Sequence, residues 1–156
     1  MTSIVEKTKK MEIKTPTIRP MVLTLVKRNN EILVSCGENL INGERHYRPL
    51  GGGIDFGELS ANCVAREMLE EIKIELAEVT FLTHFECIYE TSNGTPRHDL
   101  ILMYEAKFKQ ESDYEQEKYR IDEPYFTKPV FAEWKAIVDF KNENLILHPK
   151  ELIDLL

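Results

Sequence analysis

The segment from Gly51 to Ile74, GGGIDFGELSANCVAREMLEEIKI, constrains the fold more than any other part of this chain. Three consecutive glycines allow a tight backbone path, and Ser60 offers a hydroxyl N-cap for a helix that ends at Ile72 or Lys73. Apolar residues at the 3.6-residue helical period mark the expected core face. They are Ala61, Val64, Ala65, Met68 and Ile72. The segment therefore predicts a short extended piece, a glycine loop and an amphipathic helix in succession.

Three carboxylates follow the same helical period. Glu67, Glu70 and Glu71 are spaced i, i+3 and i+4, so they are expected on one face, roughly opposite the apolar stripe. Like charges at this spacing repel by about 0.2–0.5 kcal/mol per pair, and Arg66 supplies only one compensating charge. Hard divalent cations compensate better, because Mg²⁺ prefers carboxylate oxygens together with substrate phosphates. A solvated acidic helix face is the alternative interpretation.

The glycine loop is the second half of this candidate site. Such a loop is able to present a carbonyl oxygen to a metal and amides to a phosphate, and it directly precedes the acidic helix. For Gly57 a plain turn remains an equal interpretation. A nucleotide-binding P-loop is a poor alternative, because no Gly-Lys-Ser or Gly-Lys-Thr follows. Anionic ligands, a phosphate cradle and a positioned base are the equipment of metal-assisted attack of water on phosphorus.

The segment resembles the Nudix box, G-x5-E-x7-R-E-U-x-E-E-x-G-U, where U is a bulky aliphatic residue. Eight of its nine specified positions are matched, by Gly52, Glu58, Arg66, Glu67, Met68, Glu70, Glu71 and Ile74. Lys73 stands where the box has its second glycine. Loss of a glycine at a left-handed helix end costs about 1 kcal/mol, and a lysine there recovers about 0.3–1 kcal/mol through the helix dipole. We interpret Lys73 as a change in how the helix ends.

The resemblance implies a fold, a cofactor and residue roles. The fold is an α/β protein of α+β type, an α/β/α sandwich around a mixed β-sheet. The cofactor is Mg²⁺ or Mn²⁺, held by Glu67, Glu70 and Glu71 with the Gly51 carbonyl as a further ligand. Arg66 and Glu58 brace the helix and orient carboxylates. Catalysis is assigned to Glu67, Glu70 and Arg66, and substrate contacts to Gly52, Gly53 and Arg48.

The activity expected from this resemblance is hydrolysis of a nucleoside diphosphate linked to another moiety. Either Glu67 or a glutamate of the acidic segment 109–127 is expected to act as general base. Within that segment the candidates are Glu111, Asp113, Glu115 and Glu117, whose alternative is a solvated charge run. A Nudix-fold module that binds a nucleotide derivative without hydrolysis is the competing function. No accessory motif identifies the substrate.

Further side chains near the expected pocket are weaker candidates. His46 and His98 are each an ordinary polar residue or a substrate contact, whereas His84 and His148 have no special claim. Tyr47 and Phe56 are possible lining residues beside Arg48. Trp134, the only tryptophan, is expected in the core.

The remainder of the chain predicts one domain. Residues 1–15 lack periodicity and are expected to form a flexible tail, and residues 16–156 a single domain. Two β-rich runs flank a turn at Asn29-Asn30, and the runs 79–90 and 100–108 form a second pair of strands. Segment 109–127 is expected to be a surface loop, and 130–138 a core strand. Pro149 is predicted to start a short C-terminal helix.

Composition restricts the partners. A net charge of -7 argues against a nucleic acid polymer as partner, whereas a local basic patch is sufficient for a small phosphorylated molecule. Three cysteines at wide spacing suit neither a disulfide framework nor a zinc site. No apolar run has the about 18 residues of a membrane span, and the lysine-containing start lacks the apolar stretch of a signal peptide. We expect a cytoplasmic protein without a membrane partner, for which a homodimer is one possible assembly.

Overall fold

The computed structural model describes residues 16–39 and 41–156. The predicted tail at residues 1–15 lies outside the described residues. Strands β1 to β10 are Ile18–Leu25, Lys27–Arg28, Glu31–Glu38, Arg45–Arg48, Leu50–Gly53, Leu76–Glu90, Pro96–Phe108, Lys118–Ile121, Val130–Ala136 and Ile146–Leu147. The α-helices are α1, Ser60–Ile72, and α2, Ile137–Lys141, and short 3₁₀-helices cover Glu111–Glu115 and Lys150–Leu155.

The strands form two mixed sheets. The four-stranded sheet has the order β5-β1-β7-β6, and β1 pairs with β7 in parallel. The six-stranded sheet has the order β10-β4-β3-β9-β8, with β2 added to β3, and β10 pairs with β4 in parallel. All other pairings are antiparallel. The expected α+β fold with mixed strand directions is confirmed, with the strands divided between two sheets.

The turn at Asn29-Asn30 is present, but it joins different strands from those predicted. Asn29 has φ 53°, in the left-handed region that tight turns use, and the turn connects β2 to β3. Strand β1 does not pair with β3; it lies between β5 and β7 in the other sheet. The chain therefore passes from one sheet to the other near Val26, whose carbonyl accepts a hydrogen bond from Leu33.

Helix α1 lies across both sheets. Its first half packs Cys63 and Val64 against Val22 and Tyr104 of the four-stranded sheet. Its second half packs Met68 and Ile72 into a cluster with residues of the six-stranded sheet. Burial of an apolar side chain of this size stabilises the fold by about 1.5–3 kcal/mol. The carboxylates of α1 are thereby held at the junction of the two sheets.

Segment 109–127 is only partly the predicted surface loop. It contains a 3₁₀-helix and strand β8, which pairs with β9. Tyr119 and Ile121 are buried in the cluster that also contains Trp134, as predicted for that tryptophan. The prediction was wrong here because acidic residues dominate the composition and mask the alternate apolar positions of a short strand.

The C-terminal residues form a 3₁₀-helix directly after Pro149, where a short helix is predicted. Leu152 is fully buried, whereas Leu155 is on the surface. In the described part of the chain, no helix combines the length and apolarity needed to cross a membrane.

Candidate active site at the glycine strand and helix α1

The ends of α1 differ in how well the sequence predicts them. The predicted cap at Ser60 was wrong: Leu59 is the N-cap residue without a side-chain cap, and the Ser60 hydroxyl lies 2.6 Å from the Tyr104 hydroxyl. The C-terminal end is as predicted. Lys73 follows the last helical residue with φ 62°, and its ammonium group donates to the Glu70 carbonyl at 2.8 Å and pairs with Asp122 at 3.0 Å.

The buried face of α1 is rotated from the predicted one. Ala61 and Ala65 are exposed, so their assignment to the core was wrong. Cys63 and Glu71 take their place among the buried residues. The carboxylates therefore do not point away from the core. Glu71 is 7% exposed, and only the side chain of Glu70, at 59%, is open to solvent.

Arg66 organises this part of the site. Its guanidinium donates to both Glu58 oxygens at 2.7 and 2.9 Å and to the Gly53 carbonyl at 3.0 Å. It also reaches Glu67 at 3.1 Å and Glu70 at 3.2 Å. The hydrogen bonds from Arg66 lower the pKa of Glu58 to about 2. The predicted bracing role of Arg66 and Glu58 agrees with this geometry, since together they tie α1 to the glycine strand β5.

Glu67 packs directly on the backbone of β5. A Cβ atom placed on Gly52 would overlap the Glu67 carboxylate, so a larger residue there would force that side chain to move. The side chain of Glu67 is only 12% exposed. Burial is the main cause that raises its pKa, with Glu70 and Glu123 adding negative charge. In this structure Gly52 therefore accommodates Glu67, and Gly53 accepts from Arg66; their predicted substrate contacts remain predictions.

Glu71 is the least compensated charge of the site. Its Oε2 atom is buried and has no hydrogen-bond partner among residues 16–39 and 41–156. Burial, followed by the charge of Glu67, raises its pKa to about 8, although Arg48 and the Gly51 amide act in the opposite direction. A buried carboxylate without partners is costly to ionise. The group of Gly51 that acts on Glu71 is its amide, whereas the sequence predicts a role for its carbonyl.

The donor set fits a divalent cation, although the three glutamates do not converge. Glu67 and Glu71 lie on the side of α1 that faces β5, and Glu70 is paired with Arg66. Within residues 16–39 and 41–156, no three Asp, Glu, His or Cys side chains are arranged to hold a metal ion. The Oε2 atom of Glu71 nevertheless lies buried near the charge of Glu67. A hard cation bound there would offset both the cost of burying the Glu71 charge and its repulsion from Glu67.

Arg48 extends the site away from α1. It is half-buried at the end of β4, and among the described residues it has no ion pair and no side-chain hydrogen bond. Its positive charge acts to lower the pKa values of both Glu71 and Asp99. A half-buried guanidinium with no charged partner in the described part of the chain is suited to hold a phosphate.

A carboxylate that was not singled out from sequence faces the site. Glu123 follows β8, and its negative charge raises the pKa values of both Glu67 and Glu71. The Glu71 carbonyl accepts a hydrogen bond from Asp122 at 2.8 Å, which fixes the start of this loop. Of the four acidic residues proposed from sequence, Glu117 pairs with Arg28 instead. The position of Glu123 depends on β8, a strand that the sequence pattern does not predict.

Other predicted lining residues have different positions. Tyr47 is buried in the core, so its assignment to the pocket was wrong. Phe56 is fully exposed. His98 pairs with Glu86 at 2.7 Å. His46 lies on the same side of β4 as Arg48, because side chains alternate between the two sides of a strand.

Comparisons with known proteins agree with this architecture. A family model described as NUDIX domain matches residues 17–151. The NAD-capped RNA hydrolase NudC of Pseudomonas aeruginosa (strain PAO1) is 28% identical over 93 residues, which are 60% of this chain and 30% of NudC. The NudC protein of Pseudomonas syringae pv. syringae is 32% identical over 66 residues, 42% of this chain and 23% of NudC. The chain thus spans less than a third of these relatives.

Solved structures share the fold. The MutT NUDIX hydrolase from Burkholderia pseudomallei has a TM-score of 0.58 at 24% identity, covering 78% of this chain and 85% of that one. An ADP compounds hydrolase has a TM-score of 0.55 at 16% identity, covering 83% and 63% of the two chains. The match of the family model over nearly the whole described chain, together with the box residues gathered on β5 and α1, shows that this chain belongs to the Nudix family.

Proposed function

We propose that this protein is a hydrolase, dependent on Mg²⁺ or Mn²⁺, that cleaves the pyrophosphate linkage of a nucleoside diphosphate derivative. One observation carries the proposal. The Oε2 atom of Glu71 is buried, has no hydrogen-bond partner in the described part of the chain, and lies near the mostly buried carboxylate of Glu67 and the glycine strand. A structural carboxylate would have acquired a hydrogen-bond donor at this depth. A carboxylate that binds a cation does not need such a donor, because the cation itself compensates the charge.

The residues that would hold the metal are Glu67, Glu71 and Glu70, with the Gly51 carbonyl as a further ligand. Glu70 is exposed and joined to Arg66 by a surface ion pair, which is weak enough to exchange. When bound, the metal supplies neutralisation of the pyrophosphate oxygens and a lowered pKa for a water molecule. The chain itself keeps the ligand side chains in place through Arg66.

Substrate phosphates are assigned to Arg48 and to the amides of Gly52 and Gly53. Arg48 is a half-buried guanidinium whose charge acts on both Glu71 and Asp99, and it lies three residues before Gly51 of β5. We therefore expect a phosphate on Arg48 to lie near the carboxylate cluster. Guanidinium groups bind phosphate oxygens in a bidentate manner. Arg48 therefore orients the pyrophosphate, and its removal is expected to weaken binding.

The proton of the attacking water is assigned to a carboxylate. Glu67 and Glu123 are the two candidates, since the charges of both act within one cluster. A general base must lie within hydrogen-bond reach of the water, directly or through a second water. We prefer Glu123 when Glu67 is engaged as ligand, because Glu123 belongs to a loop and has no ion pair among the described residues.

The substrate is proposed to be a small nucleotide derivative. The relatives and structural neighbours carry the names NAD-capped RNA hydrolase and ADP compounds hydrolase, which both describe nucleotide derivatives. NAD-capped RNA is the second candidate. The net charge of -7 disfavours binding of the RNA chain electrostatically. Both substrates would be present at the proposed cytoplasmic location.

The proposal is tested with a panel of ADP-ribose, NAD, a dinucleoside polyphosphate and NAD-capped RNA. Each is incubated with Mg²⁺, with Mn²⁺ and with EDTA, and the products are identified by mass spectrometry. Thermal-shift measurements with the same ligands run in parallel. We expect metal-dependent release of nucleoside monophosphate from at least one small substrate. Thermal stabilisation without turnover on the whole panel would favour the binding module.

A further inference from the structure

The connection between β8 and β9 carries Glu123 and is otherwise open to solvent. This 122–129 loop lies between the two strands. Glu123 is half-buried, whereas residues 124–129 are all exposed, including Tyr125 at 89% and Phe126 at 50%. Exposed residues contribute little packing, so the path of the loop depends on how it is attached where it begins.

Asp122 attaches this loop to the C-terminal end of α1 by two contacts. Its amide donates to the Glu71 carbonyl at 2.8 Å. Its Oδ2 atom lies 3.0 Å from Nζ of Lys73, and the same ammonium group donates to the Glu70 carbonyl at 2.8 Å. The start of the loop is therefore joined to the helix that bears the candidate metal ligands. Glu123 is the next residue along the chain.

Lys73 occupies the position that the Nudix box gives to glycine, and a glycine has no side chain with which to reach Asp122. The φ angle of Lys73 is 62°, in the left-handed region, where a side chain is strained. Such a conformation persists only where the surrounding structure compensates the strain. The hydrogen bond to the Glu70 carbonyl completes the end of the helix. The ion pair with Asp122 reaches beyond the helix to the loop, so it is a feature of this particular sequence.

The energetic effect of this ion pair should be local. The two side chains are 65% and 69% exposed, and a pair so exposed contributes little to the stability of a whole domain. A loop that opens without global unfolding has a much smaller free energy of opening. Loss of the contact should therefore change how often the loop is detached, while the cooperative unfolding of the domain changes little.

We propose that Lys73 is a positioning residue, which holds Asp122 and thereby keeps Glu123 at the carboxylate site for proton transfer. The proposal rests on the proposed function for the role of Glu123. A proton acceptor must lie within hydrogen-bond reach of the attacking water, directly or through a second water. When the loop detaches, Glu123 leaves that range. Phosphate binding by Arg48 does not involve this loop, so the contact acts on turnover and not on affinity.

The first test measures the loop itself and does not require turnover. Hydrogen–deuterium exchange of the segment 118–129 is followed by mass spectrometry, in buffer with Mg²⁺, for the wild type, Lys73→Met, Lys73→Arg and Asp122→Asn. Lys73→Met keeps a long side chain but removes the ammonium group. Lys73→Met and Asp122→Asn should each raise the exchange rate of the loop amides about two- to fivefold, the effect of one exposed ion pair, and Lys73→Arg should stay close to the wild type.

Lys107→Met is the matched control for this measurement. Lys107 of β7 pairs with Glu78 of β6 at 2.6 Å, and the two side chains are 66% and 65% exposed. This pair resembles that of Lys73 in length and exposure, but it joins two strands that do not carry the loop. Exchange in the segment 118–129 should be unchanged in Lys107→Met.

The second test is turnover of the substrate that the wild type cleaves best. In Lys73→Met and Asp122→Asn, kcat should fall about two- to fivefold, with KM within about twofold of the wild type. Lys73→Arg should restore most of the loss, and Lys107→Met should keep the wild-type kcat. The double variant Lys73→Met/Asp122→Asn should be no slower than the slower single variant, because both changes remove the same contact.

The outcomes separate this proposal from the proposed function. Unchanged loop exchange in both Lys73→Met and Asp122→Asn would overturn it. Faster exchange with an unchanged kcat, a change in KM alone, or additive losses in the double variant would also overturn it. Absence of hydrolysis by the wild type refutes the proposed function instead, and the exchange measurement then decides by itself whether Lys73 holds the loop.

Discussion

The buried carboxylate of Glu71 makes the stability of the metal-free protein depend on pH. Its pKa is raised from an ordinary value of 4.5 to about 8 by burial and by Glu67. Because the folded protein binds this proton more tightly than the unfolded chain does, the protonated group contributes to the free energy of unfolding at low pH. That contribution is lost as the pH rises from about 4.5 to about 8. Glu71→Gln replaces the group by an amide that does not titrate.

The size of the effect follows from the two pKa values. Each pKa unit corresponds to about 1.4 kcal/mol. Between about pH 5 and pH 7.5, proton linkage lowers the free energy of unfolding of the wild type by about 3 kcal/mol. The Glu71→Gln variant does not undergo this loss. For a domain of this size, about 2–4 °C in Tm corresponds to 1 kcal/mol, so the difference in Tm between variant and wild type should change by about 6–12 °C.

The assay is thermal denaturation, with urea denaturation beside it for the free energy of unfolding, in EDTA at several pH values. Both are followed by fluorescence of Trp134, the only tryptophan, which is 6% exposed. Glu70→Gln is the matched control, because Glu70 lies on the same helix with a 59% exposed side chain. Mg²⁺ should restore stability to the wild type at high pH and have little effect on Glu71→Gln. Parallel pH profiles for wild type and Glu71→Gln would refute the reasoning.

Three further predictions concern single residues. Asp99→Asn should destabilise the protein by about 1–3 kcal/mol at pH 7 in urea denaturation. Burial acts to raise the pKa of Asp99, but hydrogen bonds from Arg19 hold it below its ordinary value. The difference in stability between variant and wild type should therefore shrink as the pH falls through that lowered pKa. Gly52→Ala should displace the Glu67 carboxylate and lower turnover at least tenfold with a native circular dichroism spectrum; unchanged kcat would contradict this contact. Lys73→Gly should be about 1 kcal/mol more stable than Lys73→Ala, since only glycine adopts φ 62° without strain; equal midpoints in urea would contradict it.

The sequence predicts the local elements of this protein better than their pairing. The helix between Ser60 and Ile72 and the hairpin of β6 and β7 follow from periodicity over many residues. The crossing of the chain near Val26 does not, because apolar residues on both sides of β1 are buried and no alternation marks a change of sheet. Strand pairing is a non-local property that a short pattern does not encode.

The same distinction applies to the candidate site. The box residues are adjacent in sequence, so their motif identifies them directly. Glu123 comes from a distant segment, and its position near Glu67 and Glu71 depends on the pairing of β8 with β9. Glu71 was expected on a metal-binding face roughly opposite the apolar stripe, since the spacing of i, i+3 and i+4 defines one side of a helix but not what covers it. The backbone of Gly51 acts on Glu71, and the neighbouring Gly52 leaves room for the Glu67 carboxylate.

The central claim is that Glu67 and Glu71 carry metal-dependent hydrolysis of a pyrophosphate linkage. The most direct measurement is kcat/KM with Mg²⁺ for the wild type, Glu67→Gln, Glu71→Gln and the surface control Glu75→Gln, on the substrate that the wild type cleaves best. We predict losses of at least about a hundredfold for the first two variants, equivalent to about 3 kcal/mol of transition-state stabilisation, with the fold intact and Glu75→Gln unaffected. Near-wild-type activity in both Glu67→Gln and Glu71→Gln would contradict the account.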